Sequence, residues 1–333
     1  MAPPAAVRVG LSRLGAACVV AASLGACGGD GGTRPSPSPT PLTREQAVRE
    51  AVRITAVAQL EAIRSVRPGM REGDVKAVVE RVFQREGANG TAFAHIVAAG
   101  AHAVDAHYAG DDGVLAEGDL LVVDIGAVRE GWASDLTRTV PVSGRFTSRQ
   151  RELYALALEG QELAMRRAHS GVDSLQAMQD WVIELYRASR LRAAAADGSL
   201  QTLDQFNPYR LGHYMGRDVH GSDTGWDWRS PLQPGQALTI EPGMYLASEG
   251  LGLRVEDDYW VGATGLECLS CALPRWPEEI EAVMDAGRAD PAGVSLSPPS
   301  RTLPVSPWSV GRPHMQPREP SDTPPRPIVP LRP

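Results

Sequence analysis

The chain has 333 residues, of which 33 are lysine or arginine and 40 are aspartate or glutamate, so its formal net charge at pH 7 is -7. An acidic balance of this kind argues against nucleic-acid binding, which needs a basic surface to neutralise phosphates. Hydrophobic residues make up 43% of the sequence. Roughly 240 residues lie between low-complexity segments at the two ends, which is compatible with one folded domain.

The first 26 residues have the features of a bacterial lipoprotein signal peptide. Arg8 and Arg13 precede a short apolar stretch, and Leu24-Gly25-Ala26-Cys27 forms a lipobox. The apolar stretch is too short and too rich in alanine for a spanning helix. We therefore expect cleavage before Cys27, lipidation of Cys27, and a location in the bacterial cell envelope, lipid-anchored and facing the periplasm or the exterior.

Two low-complexity segments flank the predicted domain. Residues 27–42 are rich in proline, serine and glycine, which is typical of an extended tether. Residues 286–333 are rich in proline, serine and arginine and are predicted to form a disordered tail. Residues 43–285 remain as the folded domain.

Helices are predicted by capping boxes and by apolar periodicity. Thr43 with Gln46 and Thr147 with Gln150 have the spacing of capping boxes. Apolar residues then recur at helical spacing and are expected in the core: Val48, Val52, Ile54, Val57, Leu153, Leu156 and Leu163. Asp173 to Arg192 is predicted to form a further amphipathic helix.

A first β-hairpin is predicted around Arg129-Glu130-Gly131. Asp124 ends an apolar run, and Asp135 lies in the segment 132–140. If the turn centres between Arg129 and Glu130, the two aspartates face each other with Cβ atoms roughly 5 Å apart. Two carboxylates at that distance repel each other unless a cation lies between them.

A second hairpin repeats this arrangement around the turn at Ser248-Glu249-Gly250, with Glu241 and Glu256 on its two arms. Pro242-Gly243 and the nearby glycines are expected to disturb the strand pairing. The alternative for any single acidic residue here is a solvated charge at a strand end. Two carboxylate pairs with His213 between them favour a metal site of Mn²⁺, Co²⁺, Fe²⁺ or Zn²⁺, and four carboxylates can bridge two ions that activate a shared water.

Four cysteines are present. Cys18 leaves with the signal peptide, and Cys27 is the lipidation site. Cys268 and Cys271 lack the second cysteine pair of a zinc ribbon and the context of a redox motif. In an oxidising compartment we expect either a local disulfide or two idle thiols.

Several motifs together resemble the Xaa-Pro aminopeptidase and prolidase branch of the M24 metallopeptidases. The resemblance covers about residues 43 to 285. It is carried by Asp124 and Asp135 and by three segments in the matching order: Leu211 to His220, Thr239 to Tyr245 and Arg254 to Asp258. It implies the pita-bread fold, an α/β (α+β) arrangement in which a curved antiparallel sheet with covering helices holds a dinuclear metal centre.

The resemblance also implies roles for individual residues. Asp124, Asp135, His213, Glu241 and Glu256 would be the metal ligands of two divalent ions, with Mn²⁺ expected first and Co²⁺, Zn²⁺ or Fe²⁺ as alternatives. Glu241 would also carry protons, and His107 and His220 would contact the reacting carbonyl. Tyr209 and Arg254 would contact the substrate.

The implied activity is release of the N-terminal residue from short peptides, with Xaa-Pro peptides as substrates. Four positions depart from the usual pattern: Tyr209 replaces a histidine, and Asp111, Arg217 and Gly221 also differ. These departures put substrate specificity in doubt more than hydrolysis. The N-terminal domain that often accompanies this branch is not seen, so we expect a wider range of peptides.

Three other functions remain open. The chain could be a catalytically weak or inactive pita-bread module that binds peptides or proteins, as in relatives that have lost their ligands. Methionine-aminopeptidase-like activity and prolidase activity are alternatives within the hydrolases. Metal content separates the binding module from the enzymes.

Overall fold

The structure is a computed structural model that describes residues 41–289. The predicted signal peptide, Cys27, the tether up to residue 40 and the tail beyond residue 289 lie outside the described residues. All described helices and strands belong to the unit that begins at Leu42.

Within residues 41–289 the chain forms five α-helices: α1 (Arg44–Ser65), α2 (Glu72–Glu86), α3 (Ser148–Arg167), α4 (Leu175–Ala188) and α5 (Pro277–Ala289). The strands are short: β1 (Gly90–Thr91), β2 (Ile96–Ala99), β3 (Leu120–Ile125), β4 (Ala127–Arg129), β5 (Trp132–Ala133), β6 (Leu136–Pro141), β7 (Arg192–Ala194), β8 (Leu200–Thr202), β9 (Tyr214–Met215), β10 (Ala237–Ile240), β11 (Gly243–Leu246), β12 (Leu251–Arg254), β13 (Asp257–Val261) and β14 (Leu266–Cys268). None of the helices in this described part has the length and apolar composition that crossing a bilayer would require.

Both predicted capping boxes are confirmed. Thr43 and Thr147 each accept a hydrogen bond from the backbone of the residue three positions later, and the glutamine there binds back to the threonine backbone. The predicted apolar faces are buried except for Val57 and Leu163, which are half-buried.

Two predicted boundaries differ from the structure. The helix predicted from Asp173 to Arg192 is shorter, because Ser174 caps it and Ser189 ends it. Arg192 instead begins β7. The last helix, α5, extends to Ala289, so the predicted domain boundary at 285 falls inside it.

The strands pair as several small antiparallel sheets. The central ones have the strand orders β2-β3-β6, β14-β13-β10-β9 and β11-β12. Helix α1 packs against the first of these, where Gln59 donates a hydrogen bond of 2.9 Å to the carbonyl of Val123. The side chains between helices and sheets form one large apolar core, which fixes the sheets that carry the acidic residues.

The predicted register of the first hairpin is wrong by two residues. Asp124 pairs with Thr137, and Arg129 pairs with Trp132 across a two-residue turn. Both turn residues, Glu130 and Gly131, have positive φ angles of 47° and 80°, as this tight hairpin turn requires. The turn therefore centres one residue later than predicted. Because side chains alternate with a period of two, Asp124 and Asp135 still face the same side, as diagonal neighbours.

The predicted register of the second hairpin is correct. Ile240 pairs with Asp257 and Gly243 with Arg254, so the continued register places Glu241 opposite Glu256. The expected disturbance is also present, because strand pairing stops between β10 and β11, where Pro242 lacks a backbone N–H.

The two hairpins meet edge to edge. The backbone N–H of Glu256 donates to the carbonyl of Thr137 at 3.1 Å. The hydroxyl of Thr139 donates to the carbonyl of Arg254 at 2.8 Å and accepts from its N–H at 3.0 Å. These contacts bring the acidic ends of both hairpins to the same place.

Candidate metal centre

All nine predicted site residues within the described part of the chain line one cavity of about 770 Å³: His107, Asp124, Asp135, Tyr209, His213, His220, Glu241, Arg254 and Glu256. They come from segments as far apart in sequence as 107 and 256. Cys27, the predicted lipidation site, lies outside the described residues.

His213 lies among the carboxylates. Its Nε2 atom is 3.4 Å from Oδ2 of Asp135 and 3.5 Å from Oε1 of Glu241. Its Nδ1 atom is 3.1 Å from the carbonyl oxygen of Tyr214, and this second contact orients Nε2 towards the carboxylates. Asp135, His213 and Glu256 each offer a ligand atom within 4.8 Å of the others.

The backbone before His213 explains this position. His213 and Thr239 are linked by two hydrogen bonds, from the His213 N–H to the Thr239 hydroxyl and from the Thr239 N–H to the His213 carbonyl. Gly212 passes so close to this strand that a Cβ atom would lie 2.1 Å from the Thr239 carbonyl oxygen. The sequence Gly212-His213 therefore lets the imidazole approach the end of β10.

Three carboxylate oxygens in the cavity are buried and have no hydrogen-bond partner: Oδ1 of Asp124, Oδ1 of Asp135 and Oε1 of Glu256. Burial, followed by the charges of the neighbouring carboxylates, raises the pKa of Asp135 and of Glu256 well above the ordinary range. A buried acidic group without a partner is unfavourable unless it binds a proton or a cation.

Arg254 is the guanidinium that touches these carboxylates. Its Nη2 donates to Oδ2 of Asp124, its Nε donates to the Thr137 hydroxyl at 3.1 Å, and its Nη1 donates to the Tyr245 hydroxyl at 2.5 Å. The Thr137 hydroxyl in turn donates to Oε2 of Glu256 at 2.6 Å. Arg254 therefore offsets part of the charge of the four clustered carboxylates, while Lys76, Arg210 and a fifth carboxylate, Glu80, also line the cavity.

The residues present fit two divalent metal ions. The donors are carboxylate oxygens and one imidazole, a set that suits Mn²⁺, Co²⁺, Fe²⁺ or Zn²⁺. The three orphaned oxygens provide buried acceptors that nothing else in the described structure satisfies. Asp124, Asp135, His213, Glu241 and Glu256 are the residues that would hold the ions.

The rim of the cavity is aromatic. The Tyr209 ring forms edge-to-face contacts with His107 and with Tyr245, each with ring centroids 5.5 Å apart. His220 contacts the His213 ring at 4.8 Å, and burial lowers the pKa of His220. A neutral imidazole at this position can donate or accept a hydrogen bond near neutral pH.

Gly221 and Arg217, which depart from the family pattern but do not line the cavity, have structural explanations. Gly221 has a φ of 61°, and a Cβ atom there would lie 2.5 Å from the carbonyl oxygen of Tyr214, so the turn after His220 requires glycine. The Arg217 guanidinium lies 5.1 Å from the centre of the Trp132 ring, a cation–π contact that accounts for a charged residue where an apolar one is usual.

Sequence reasoning missed Glu72, which holds the loop that carries His107. Glu72 is fully buried and accepts hydrogen bonds from the N–H of Ala99, the N–H of Gly113 and the Tyr108 hydroxyl. It therefore joins both ends and the middle of this loop. A buried glutamate at the start of a helix leaves no signal in one sequence, because acidic residues are ordinary there.

Comparison with known proteins supports these observations. A profile of metallopeptidase family M24 matches residues 46–263. The Xaa-Pro aminopeptidase of Escherichia coli is 35% identical over 256 residues, which cover 72% of this chain and 58% of that protein. The mitochondrial intermediate cleaving peptidase 55 of Arabidopsis thaliana is 33% identical over 268 residues, 78% of this chain and 52% of the relative.

Solved structures give the same result. Zinc-substituted Escherichia coli aminopeptidase P in complex with product matches with a TM-score of 0.66 at 33% identity, covering 74% of this chain and 59% of that one. Proline aminopeptidase P II from Yersinia pestis matches with a TM-score of 0.67 at 31% identity, covering 73% and 59%.

The fold and the acidic cavity thus define a pita-bread protein whose candidate site is rich in carboxylates, and the predicted fold is confirmed. The chain belongs to metallopeptidase family M24. It spans less than two thirds of the length of the curated relatives described above.

Without metal, the wild-type protein should become less stable than an Asp135→Asn variant as the pH rises. Because the folded-state pKa of Asp135 is raised, the folded protein binds this proton more tightly than the unfolded chain. The stabilisation is complete below about pH 4, the ordinary range of aspartate, and is lost as the pH rises through the raised folded-state pKa.

Thermal melts of chelator-treated protein from pH 4 to pH 9 check this expectation. The variant comparison is needed because His95 and His220 have lowered pKa values and change stability in the opposite direction. Asparagine should increase the melting temperature relative to wild type only at the higher pH values. A difference that is independent of pH would contradict the assignment.

Proposed function

We propose that this chain is a metal-dependent aminopeptidase that hydrolyses the N-terminal residue from short Xaa-Pro peptides. The observation that carries the proposal is the convergence of Asp124, Asp135, His213, Glu241 and Glu256 in one cavity, with three buried oxygens lacking any partner. The match to aminopeptidase P structures supports the substrate class.

Two bound divalent ions would polarise the scissile carbonyl and lower the pKa of an attacking water. Glu241 lies at the cavity with an exposed fraction of 19%, so it can accept the proton of this water and pass it to the leaving nitrogen as the carbon–nitrogen bond breaks. The Thr239 hydroxyl, 3.3 Å from Oε1 of Glu241, holds the carboxylate in place.

His107 and His220 line the same cavity. We assign them hydrogen bonds to the carbonyl oxygen, which gains negative charge during attack. Mn²⁺ is the metal we propose first, because four carboxylates and a single imidazole form an oxygen-rich donor set, with Co²⁺, Zn²⁺ and Fe²⁺ as alternatives.

The aromatic rim of the cavity is the observation that supports proline as the second residue of the substrate peptide. An Xaa-Pro bond has no N–H, so an enzyme that cleaves it cannot rely on a hydrogen bond from that nitrogen and must offer an apolar face to the ring. The aromatic rings of Tyr209 and Tyr245 offer such a face beside the carboxylates.

The non-catalytic binding module remains the second candidate, because Tyr209 and Gly221 depart from the family pattern. A binding module would bind peptides without binding metal and without hydrolysing them. The enzyme must bind metal.

Replacing Asp135 or Glu256 with alanine should weaken Mn²⁺ binding by about 100-fold or more and reduce hydrolysis in parallel, because each substitution removes a ligand from a buried site. Calorimetric Mn²⁺ titration and a proline-release assay on the same samples check this. Glu159→Ala, which removes an equal charge from the exposed face of α3, is the matched control and should behave as wild type. Full activity in chelated wild-type protein would contradict the proposal.

Tyr209→Ala should reduce the preference for Xaa-Pro over Xaa-Ala tripeptides by about tenfold, since one apolar pocket contact contributes about 1 to 3 kcal/mol to discrimination. Tyr209→Phe retains the ring and should retain the preference. The measurement is kcat/KM for matched tripeptides with Mn²⁺ supplied. Equal selectivity in the alanine variant and wild type would show that this ring does not contact proline.

We also propose that Cys27 anchors the protein to a bacterial membrane. The support is the sequence alone: the charged start, the apolar stretch and the lipobox.

A Cys27→Ser variant expressed in bacteria should accumulate as a longer, unlipidated precursor, because the lipid is attached to the cysteine thiol. Fractionation and intact mass measure this. Identical mass and membrane partition for variant and wild type would rule out lipidation at Cys27.

A further inference from the structure

The loop between Cys268 and Cys271 lies against the strand that follows Glu256. Its first cysteine pairs with Tyr259 across β13 and β14. The backbone N–H of Leu269, the next residue of the loop, donates to the carbonyl of Asp258 at 2.8 Å. The loop does not line the cavity, so any influence on the metal centre must pass through other residues.

Ser270 is the polar residue of this loop, and it is 2% exposed. Its hydroxyl donates to Oδ1 of Asp257 at 2.6 Å and accepts from the backbone N–H of Asp258 at 3.1 Å. A single hydroxyl therefore fixes two consecutive, fully buried aspartates.

Asp258 links Ser270 to Asp135, one of the predicted metal ligands. Its Oδ2 accepts a hydrogen bond of 3.0 Å from the backbone N–H of Asp135. Asp135 lies between β5 and β6, outside either strand, so its backbone depends on contacts of this kind for its position.

Asp257 links Ser270 to a second predicted ligand, Glu256, through Arg138. Oδ1 of Asp257 accepts from Nη2 of Arg138 at 2.8 Å, and Nη1 of the same guanidinium donates to the carbonyl of Glu256 at 2.7 Å. Arg138 and Asp257 are both fully buried. Two of the five predicted ligands are thus positioned by neighbours that Ser270 holds.

A disulfide closes the loop on both sides of this serine. Cys268 and Cys271 are bonded, with Cα atoms 5.6 Å apart, and only Leu269 and Ser270 lie between them. The covalent link restricts the hydroxyl to the neighbourhood of Asp257 and Asp258. A loop this short constrains the unfolded chain less than a long one, so the link contributes more to local geometry than to global stability.

We propose that Ser270 is a positioning residue for the metal centre, and that the Cys268–Cys271 disulfide holds it in place. It acts through Asp258 on Asp135 and through Asp257 and Arg138 on Glu256. The inference rests on the proposed metal centre, and it makes the metal affinity sensitive to a covalent bond outside the cavity.

The first test is a calorimetric Mn²⁺ titration of Ser270→Ala in the absence of peptide. Loss of a residue that orients ligands typically lowers metal affinity by 10- to 100-fold, and we expect about a tenfold loss. Ser174→Ala is the control, because it removes the N-cap hydroxyl of α4 and Ser174 does not line the cavity. It should lower the melting temperature of the metal-free protein without changing Mn²⁺ affinity.

The second test is a mutant cycle with Cys268→Ala/Cys271→Ala, which opens the loop without a thiol reductant that would itself bind metal. The cysteine variant should bind Mn²⁺ several-fold more weakly than wild type. In the Ser270→Ala background the same cysteine changes should cause less than about a twofold further loss, because coupled residues have non-additive effects.

Unchanged Mn²⁺ affinity in Ser270→Ala would overturn the positioning role, and fully additive losses would overturn the link between disulfide and serine. If the cysteine variant does not fold, the comparison of Ser270→Ala with Ser174→Ala decides the positioning role. Wild-type protein that binds Mn²⁺ but cleaves no Xaa-Pro peptide would contradict the proposed function. The Mn²⁺ affinities of the variants would still test the positioning role of Ser270, so failure of the function and failure of the positioning role are distinguishable.

Discussion

The concentration of negative charge in one cavity is the constraint on which the rest of the structure depends. Ligand atoms of Asp135 and Glu256 lie within 4.8 Å of each other, and two unit charges at that distance repel by about 3 to 4 kcal/mol at an effective dielectric constant of about 20. Asp124 and Glu241 add to this repulsion. Such an arrangement is stable only if the fold holds the groups together and bound protons or cations offset their charge.

The fold supplies the first condition through two hairpins that meet at their acidic ends. A backbone hydrogen bond from Glu256 to Thr137 and two hydrogen bonds between the Thr139 hydroxyl and the Arg254 backbone join the hairpins. Behind them lies a buried polar layer of Arg138, Asp257, Asp258 and Ser270. Breaking a buried charge pair by removing one partner costs about 3 to 5 kcal/mol, so this layer keeps the ligand backbones close to one geometry.

The residues that meet in the cavity could be predicted from the sequence because their chemistry appears directly as residue types at defined spacing. The register of the second hairpin was also predictable, since Ser248-Glu249-Gly250 marks its turn. The first register was not, because a tight turn required a positive φ at Glu130, a residue that rarely adopts it. A glycine such as Gly131 indicates a positive φ angle in the sequence, whereas a glutamate does not.

Other features depend on contacts between distant parts of the chain. Glu72 holds the His107 loop, and Ser270 holds two aspartates, yet neither residue is unusual in its local sequence. The end of α4 at Ala188 was missed for a related reason: the apolar periodicity continued beyond the point where the chain turns into β7. Local pattern therefore identified which residues meet, while the tertiary structure decided how they are supported.

The most direct test of the account is the number of metal ions that the purified protein binds. Elemental analysis and calorimetry after reconstitution with Mn²⁺ should give two ions per chain, with binding abolished at one or both sites by Asp135→Ala. Protein that is folded by circular dichroism but retains no divalent metal would contradict the central claim, because the three buried carboxylates and Glu241 would then be held together for some other purpose.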